Sequence, residues 1–322
     1  MTKILITGSA GLIGSALAAK LADNGYDIID CDIRFKNNPI SFYSDEIIPI
    51  LKKCDGIIHL GAIARVIHGE IYPELCNRVN VTGTVKFLEF YQNLPNKPWF
   101  IYGSSREVYG EQKILPVTEK AELRPMNYYA KGKVLIENYV NDLKKRDFNT
   151  LILRFSNVYG GMLDHYNRVV PAFCLRALKN EPIRIEGKDC VFDFTYLDDV
   201  VNGIISAVDR INNPINQKID MPIHFTGNRG CNLRELAEII VKITNSKSNI
   251  DYYPPRNFDV SRFYGDYGNA VNILNWRPKY SLETGLNKFI TALKSAKKIC
   301  PYDIEMKIYE NIESYSWLPA LL

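Results

Sequence analysis

Residues 4–14 read Ile-Leu-Ile-Thr-Gly-Ser-Ala-Gly-Leu-Ile-Gly, an apolar run that breaks into glycines and resumes as a helix. A strand that ends this way is built to hold a dinucleotide pyrophosphate. Gly8 permits the tight turn, Gly11 lets the backbone approach the phosphates, and Gly14 lets helix and sheet pack closely. The N–H groups that open the following helix, with the positive end of its dipole, face the anion. Leu12 and Ile13 sit inside the same turn and join the three glycines as expected cofactor contacts.

A second apolar strand, 27–32, ends in Asp32, 18 residues beyond Gly14. A carboxylate at that point can accept both ribose hydroxyls of an adenosine and repel a 2′-phosphate, which selects NAD. Arg34 pulls the other way, since a guanidinium there could welcome the phosphate of NADP. The strand register favours Asp32, and NAD is the expected cofactor.

The rest of the composition narrows the class. With 322 residues, 46% of them hydrophobic, the chain can bury one large core and a smaller lobe. A net charge of +4 without a long single-sign run argues against nucleic acid, because Lys144-Lys145-Arg146 and Lys297-Lys298 are too short for more than solvated helix faces. Seven cysteines, none in a C-x-x-C pair, read as reduced thiols of a cytoplasmic protein. His59, His68, His165 and His224 show no metal spacing, and His59 reads as a satisfied core residue. The chain enters a strand at once, and its apolar runs fall short of the roughly 18 residues of a membrane span, so neither signal peptide nor membrane segment is expected.

Apolar runs alternate with amphipathic segments through the first two hundred residues, the pattern of an α/β protein with a doubly wound, Rossmann-type parallel sheet. Strands are expected at 3–7, 27–32, 56–60, 98–103, 150–155 and 192–196, and helices at 12–24, 80–93, 128–146, 169–179, 233–244 and near 282–296. Residues 1–165, with a return to the main sheet at about 192–210, would form the NAD-binding domain. About 166–191 and 211–322 would form a smaller substrate-binding lobe. There is no internal repeat, and the last twenty residues carry no signal.

Tyr129 and Lys133 fall one helical turn apart on one face. An ammonium beside a phenol favours phenolate and would bring its pKa from about 10 toward neutrality, which suits a tyrosine base. Ser104-Ser105 follows the strand at 98–103, at the sheet edge where ligands of open parallel sheets bind. A serine there can hydrogen-bond a substrate hydroxyl while the tyrosine removes its proton.

These residues belong to an ordered series. It runs through Gly8-x-x-Gly11-x-x-Gly14, Asp32, His59-Leu60-Gly61-Ala62, Asn80-Val81-Thr82-Gly83-Thr84 and Ser104-Ser105-Arg106-Glu107-Val108-Tyr109-Gly110. It continues with Tyr129-x-x-x-Lys133, Arg154-Phe155-Ser156-Asn157-Val158-Tyr159-Gly160, Asp193-Phe194-Thr195-Tyr196-Leu197-Asp198-Asp199-Val200 and Leu274-Asn275-Trp276-Arg277-Pro278. In this the chain resembles the extended short-chain dehydrogenase/reductases, the nucleotide-sugar epimerases and dehydratases. The resemblance implies that Tyr129 is the catalytic base, that Lys133 orients the nicotinamide ribose and tunes Tyr129, and that Ser105 assists proton transfer. It adds Leu60, Ala62 and Asn80 to the cofactor contacts. Asn157 and Arg256 would contact the substrate diphosphate or nucleotide, and Val170 with Pro171-Ala172-Phe173 would pack around the base. It also implies a homodimer through helices 84–93 and 129–146, and a structural, helix-capping role for Asp198-Asp199.

Four departures bear on activity. Phe192 stands where such proteins place a diphosphate-gripping arginine; Arg256, Arg184, Arg168 or Lys188 would have to substitute. The stretch from Asp32 to His59 is short, Gly161 replaces a proline, and Arg106-Glu107 follows the catalytic serine. A C4 epimerase with tightly bound NAD and a 4-keto-sugar intermediate needs only Ser105, Tyr129 and Lys133, and it ranks first. Dehydratases pair the glutamate with an aspartate that protonates the leaving C6 hydroxyl, whereas Arg106 cannot act as an acid near neutral pH. A dehydratase, or a uronic-acid decarboxylase with Glu107 in the chemistry and Arg106 on the substrate carboxylate, ranks second. A keto-sugar reductase follows. In the bland alternative Glu107 simply pairs with Arg106. A non-catalytic dinucleotide-binding regulator is the alternative of another class.

Overall fold

The first strand is buried on both faces because helices cover both. Ile4 and Ile6 enter one core layer and Leu5 the other; Ile58 and Ile57, then Ile101 and Phe100, repeat the alternation on the next two strands of the sheet. Near-continuous apolar strands of this kind belong in parallel sheets covered on both sides. The computed structural model describes residues 1–35, 37–213, 218–227 and 229–296. Its strands are β1 (Lys3–Thr7), β2 (Asp27–Cys31), β3 (Gly56–His59), β4 (Trp99–Ser105), β5 (Thr150–Phe155), β6 (Asn157–Tyr159), β7 (Ile183–Glu186), β8 (Val191–Tyr196), β9 (Ile223–Phe225), β10 (Gly230–Asn232) and β11 (Ile250–Tyr253).

The main sheet runs β2-β1-β3-β4-β5-β9, every pair parallel. Helices Leu12–Asp23, Leu197–Asn212 and Gly268–Leu274 supply one core layer, and Thr84–Gln92 with Tyr128–Lys145 the other. This is the Rossmann-type α/β fold expected from the sequence. Strand order reverses at β1, so the carboxyl ends of β1, β2, β3 and β4 border one crevice. Helices Val169–Lys179, Leu233–Thr244 and Leu282–Ser295 form where expected and build a third core, with β6, β7 and β8, beside that crevice.

Four expectations are corrected. The sixth strand of the main sheet is β9, not 192–196. That segment forms β8, which pairs with β6 and β10 in a separate three-stranded sheet. The chain leaves β5 at Ser156, whose hydroxyl donates to Asp193 Oδ1 at 2.8 Å, and this bond holds β8 beside β6 and away from the main sheet. The chain also returns to the main layer beyond 192–210: Ile219, Ile223, Phe225, Ala270 and Trp276 all lie in its core. The helix expected at 80–93 begins as a π-helical turn, Arg78–Gly83, before Thr84–Gln92. Asp199 does not cap its own helix; its carboxylate accepts the backbone N–H groups of Lys279 and Tyr280.

The short stretch after Asp32 forms no strand among the described residues, only the turn Asp45–Ile47 and the helix Ile48–Leu51, so β2 stays at the sheet edge. His59 is the core residue expected: its ring nitrogens meet the hydroxyls of Thr7 at 2.8 Å and Thr84 at 3.2 Å. Residues 303–322, which carried no sequence signal, lie outside the described residues, as do Lys297, Lys298 and Cys300.

Candidate active site

The crevice opens into a cleft of about 610 Å³ lined on one side by the first glycine turn. Gly8 has φ +72, and a Cβ there would stand 2.7 Å from Gly61 N. A Cβ on Gly14 would stand 2.2 Å from Gly8 O, so only glycine lets the helix start this close to the strand. Gly11 caps that helix without a side chain and so leaves its opening N–H groups to the cleft. Leu12, Ile13, Leu60 and Ala62 line the same wall. Asp32, at the end of β2, accepts Ala10 N–H at 3.1 Å, and the fork of Arg34 closes on both its oxygens at 3.0 and 2.8 Å. The rival arginine is therefore paired with the carboxylate it was weighed against. A dinucleotide fits this cradle: a glycine turn at the helix start for the pyrophosphate, a carboxylate at the adjacent strand end for the ribose. Asn80 lies behind it, its amide clamping Ile63 N–H at 2.8 Å and Ile63 O at 2.9 Å. It shapes the 60–63 loop and does not line the cleft.

The chemical wall is built from β4 and the helix Tyr128–Lys145. The paired serines diverge: Ser104 donates to Glu137, while Ser105 lines the cleft, accepts Glu107 N–H at 3.2 Å and hydrogen-bonds Tyr129. Lys133 donates to Gly103 O at 2.7 Å with its ammonium 5.7 Å from the Tyr129 ring centroid. Burial pushes the Tyr129 phenol well above its ordinary value, and the Ser105 hydrogen bond opposes this. The expectation that Lys133 would draw the phenol toward neutrality is thus not met by the protein's own groups. Burial also pulls Lys133 down, to about 8.

Glu107 has both oxygens engaged. Arg106 Nη2 lies 2.7 Å from Oε1, and Asn127 Nδ2 donates to Oε2 at 3.1 Å. Asn127 also caps the Tyr129 helix, accepting Ala130 N–H at 2.8 Å. The sequence reasoning missed Asn127, although an asparagine just before a helix start is a readable cap.

On the substrate side, Asn157, Val170, Pro171, Phe192 and Arg256 line the cleft. Phe173 and Ala172 fall in the lobe core instead. Arg256 is paired with Asp259 at 2.6 Å, and Arg168, also in the wall, with Asp164 at 3.0 Å. Arg184 and Lys188 turn to Tyr253 and Tyr252 outside the cleft, so they do not replace the missing arginine at 192. Arg65, which the sequence did not single out, and His165, noted there only for its lack of metal spacing, also line the cleft. Among the described residues no group of three or more His, Cys, Asp or Glu could hold a metal ion, and no helix is long and apolar enough to cross a membrane.

Comparison with known proteins bears on the family and the fold. The model of the NAD-dependent epimerase/dehydratase family matches residues 4–220. The chain is 28% identical over 309 residues to UDP-glucuronic acid decarboxylase 1 of Danio rerio, covering 89% of this chain and 72% of that one. The crystal structure of UDP-glucose 4-epimerase from Thermotoga maritima, with UDP-glucose, has a TM-score of 0.82 at 30% identity over 91% of this chain and 99% of that one. UDP-glucuronic acid 4-epimerase from Bacillus cereus, in complex with UDP-glucuronic acid and NAD, shares the fold at 23% identity with a TM-score of 0.80, again over 91% and 99%.

Proposed function

The chain belongs to the NAD-dependent epimerase/dehydratase family, and from that premise we propose that it inverts C4 of a nucleotide-linked sugar through a 4-keto intermediate, with NAD held throughout. The observation that carries this reading is the engagement of Glu107 by Arg106 and Asn127. It leaves Ser105, Tyr129 and Lys133 as the chemical set, which is what a C4 epimerase requires and less than a dehydratase requires.

The glycine turn and Asp32 would hold the dinucleotide, with Lys133 reaching its nicotinamide ribose. NAD, when bound, supplies a hydride acceptor that gives the hydride back, and a positive charge beside the phenol. Tyr129 takes the proton of the C4 hydroxyl as the carbonyl forms, and Ser105 bridges the two oxygens. After the keto-sugar presents its other face, Tyr129 returns the proton to the C4 oxygen and the substrate is an epimer. Asn157 and Arg256 would contact the diphosphate or nucleotide, and Val170 would pack against the base. Relatives named for UDP-linked sugars make UDP the first nucleotide to test.

A homodimer is part of the proposal. The helix Tyr128–Lys145 exposes Tyr128 and Leu135 at 52% and 55%, an apolar face suited to a second copy. The described cysteines are free thiols, which suits a cytoplasmic site. The decarboxylase reading is the second, since Glu107 stands in the cleft wall and several relatives, from Danio rerio, Xenopus tropicalis and Arabidopsis thaliana, bear that name.

Proton NMR of the protein with NAD and a panel of nucleotide sugars in deuterated water decides between them. An inverted C4 without ring deuterium is the expected result. Deuterium at C5 with loss of water or carbon dioxide would place Glu107 in the chemistry and overturn the C4 reading. Replacement of Tyr129 by Phe should remove turnover and spare NAD binding; a fully active variant would exclude the mechanism.

A further inference from the structure

Arg106 holds a buried cation in the cleft wall, only 6% exposed. Its guanidinium lies 5.1 Å from the ring centroid of Phe192 and 5.5 Å from that of Phe263, so two phenyl rings shield it from water. Nη2 meets Glu107, while Nη1 is buried and finds no hydrogen-bond partner among the described residues. A charged donor kept in a dry wall without an acceptor is costly, and Glu107 balances the charge without supplying that acceptor.

The position of Arg106 indicates what would complete it. Its chain neighbour Ser105 serves the C4 oxygen in the reaction proposed above, and on that reading the present inference rests. In a pyranose the ring carbon beside C4 that bears an exocyclic carbon is C5. We propose that Arg106 Nη1 receives the group on C5 and that this group is a carboxylate, so that the substrate is a nucleotide-linked uronic acid. A hydroxymethyl oxygen could accept one hydrogen bond, but a carboxylate adds charge to the contact, and charge-assisted bonds to arginine are about twice as strong as neutral ones. Glu107 faces the same guanidinium, so the cation stands between two carboxylates and keeps them apart.

This contact also bears on the fate of the intermediate. A uronic acid oxidised at C4 is a β-keto acid. Its C5–carboxylate bond can break with the electron pair passing into the ketone and neutral carbon dioxide leaving. A cation bound to the carboxylate loses its partner in that step and therefore opposes it. The product is then the C4 epimer with its carboxylate intact, an isomerisation with no net redox change.

The test compares matched pairs of substrates, glucose against glucuronic acid, on UDP and then on dTDP, GDP and CDP, with UDP alone as a binding probe. The wild-type protein should favour the uronate by about 100-fold in kcat/KM, the scale of a buried charge contact. Arg106→Met should remove most of that preference, chiefly through KM, and Arg106→Lys should restore part of it. A wild-type preference for the neutral sugar overturns the inference and leaves the epimerase reading standing. If Arg106→Met weakens UDP alone as much as the uronate, the arginine grips the diphosphate in place of the one missing at 192, and the inference also fails. If the uronate is preferred through Arg106 but its carboxylate leaves as carbon dioxide, the contact stands, while its restraint on decarboxylation and the epimerase reading both fall.

Discussion

Lys133 shows how burial sets the chemistry of one group. Its ammonium, held against Gly103 O, is lost as pH rises through about 8. The profile of kcat/KM should therefore fall on its alkaline side with an apparent pKa near that value. Lys133→Arg, which stays charged, should be slower but lack the limb; a wild-type profile that stays flat well past 8 would mean the ammonium is not needed. Glu107 gives the second prediction at this scale. As a positioning residue, its replacement by Gln should cost about tenfold in kcat and bring no deuterium to C5, whereas a general base would cost 10²–10⁴-fold. Single-turnover rates with NMR of the product separate these outcomes. Spacing put Tyr129 and Lys133 on one helix face, adjacency gave the Arg106–Glu107 pair, and only the family resemblance chose Ser105 over Ser104 and assigned the three their roles. The direction of the Tyr129 shift was not, because desolvation depends on what covers a residue and the sequence shows only its neighbours in the chain.

The helix that carries Tyr129 is held at its start by two side chains, Asn127 and Glu70, the latter accepting Tyr128 N–H at 3.0 Å. Asn127 caps it, reaches Glu107 and is itself 2% exposed. Tyr129 lies in the first turn, where fraying would be felt most. Asn127→Ala should cost roughly 1 kcal/mol in urea unfolding, the usual worth of a cap. It should also lower kcat by more than that figure implies, because the phenol loses its fixed position. Asn127→Asp should keep the cap but set a second buried carboxylate against Glu107, so it should lower both stability and turnover; a variant as stable and as active as wild type would deny the link. Elements differ in how well the sequence exposes them. The five long strands of the main sheet read directly from their apolar runs, and the helices from their period. The sixth strand, Ile223-His-Phe, is too short to announce itself beside Pro222, while Val191–Tyr196 looks more like a strand and pairs elsewhere. Partner choice rests on long-range contacts such as Ser156 to Asp193, which no local pattern encodes.

At the scale of the whole molecule, buried histidines link the layers and make the fold sensitive to acid. His224, on β9, bonds Tyr109 in the turn after β4 and Asp266 O in the later segment, while His59 joins β3 to Thr84. Burial lowers both to about 3, with repulsion from Arg154 and Lys133 adding to it. Between about 3 and 6.5 the unfolded chain binds these protons and the native protein does not, so stability falls as pH drops through that window. A shift of this size corresponds to roughly 5 kcal/mol for each group, against about 5–15 kcal/mol for a whole domain. The buried carboxylates work in the opposite sense. Burial raises Asp164, Asp193, Asp199 and Glu119, which therefore take up protons more readily in the native state and favour it on acidification. Of the carboxylates displaced downward, Asp147 and Glu283 are exposed and screened by solvent. The histidines should then dominate: the urea midpoint should decline steadily from pH 6.5 to 4. His224→Gln keeps a hydrogen-bonding side chain that cannot charge, so it should begin less stable at neutral pH but decline with a shallower slope. An unchanged slope would assign the acid sensitivity to other groups.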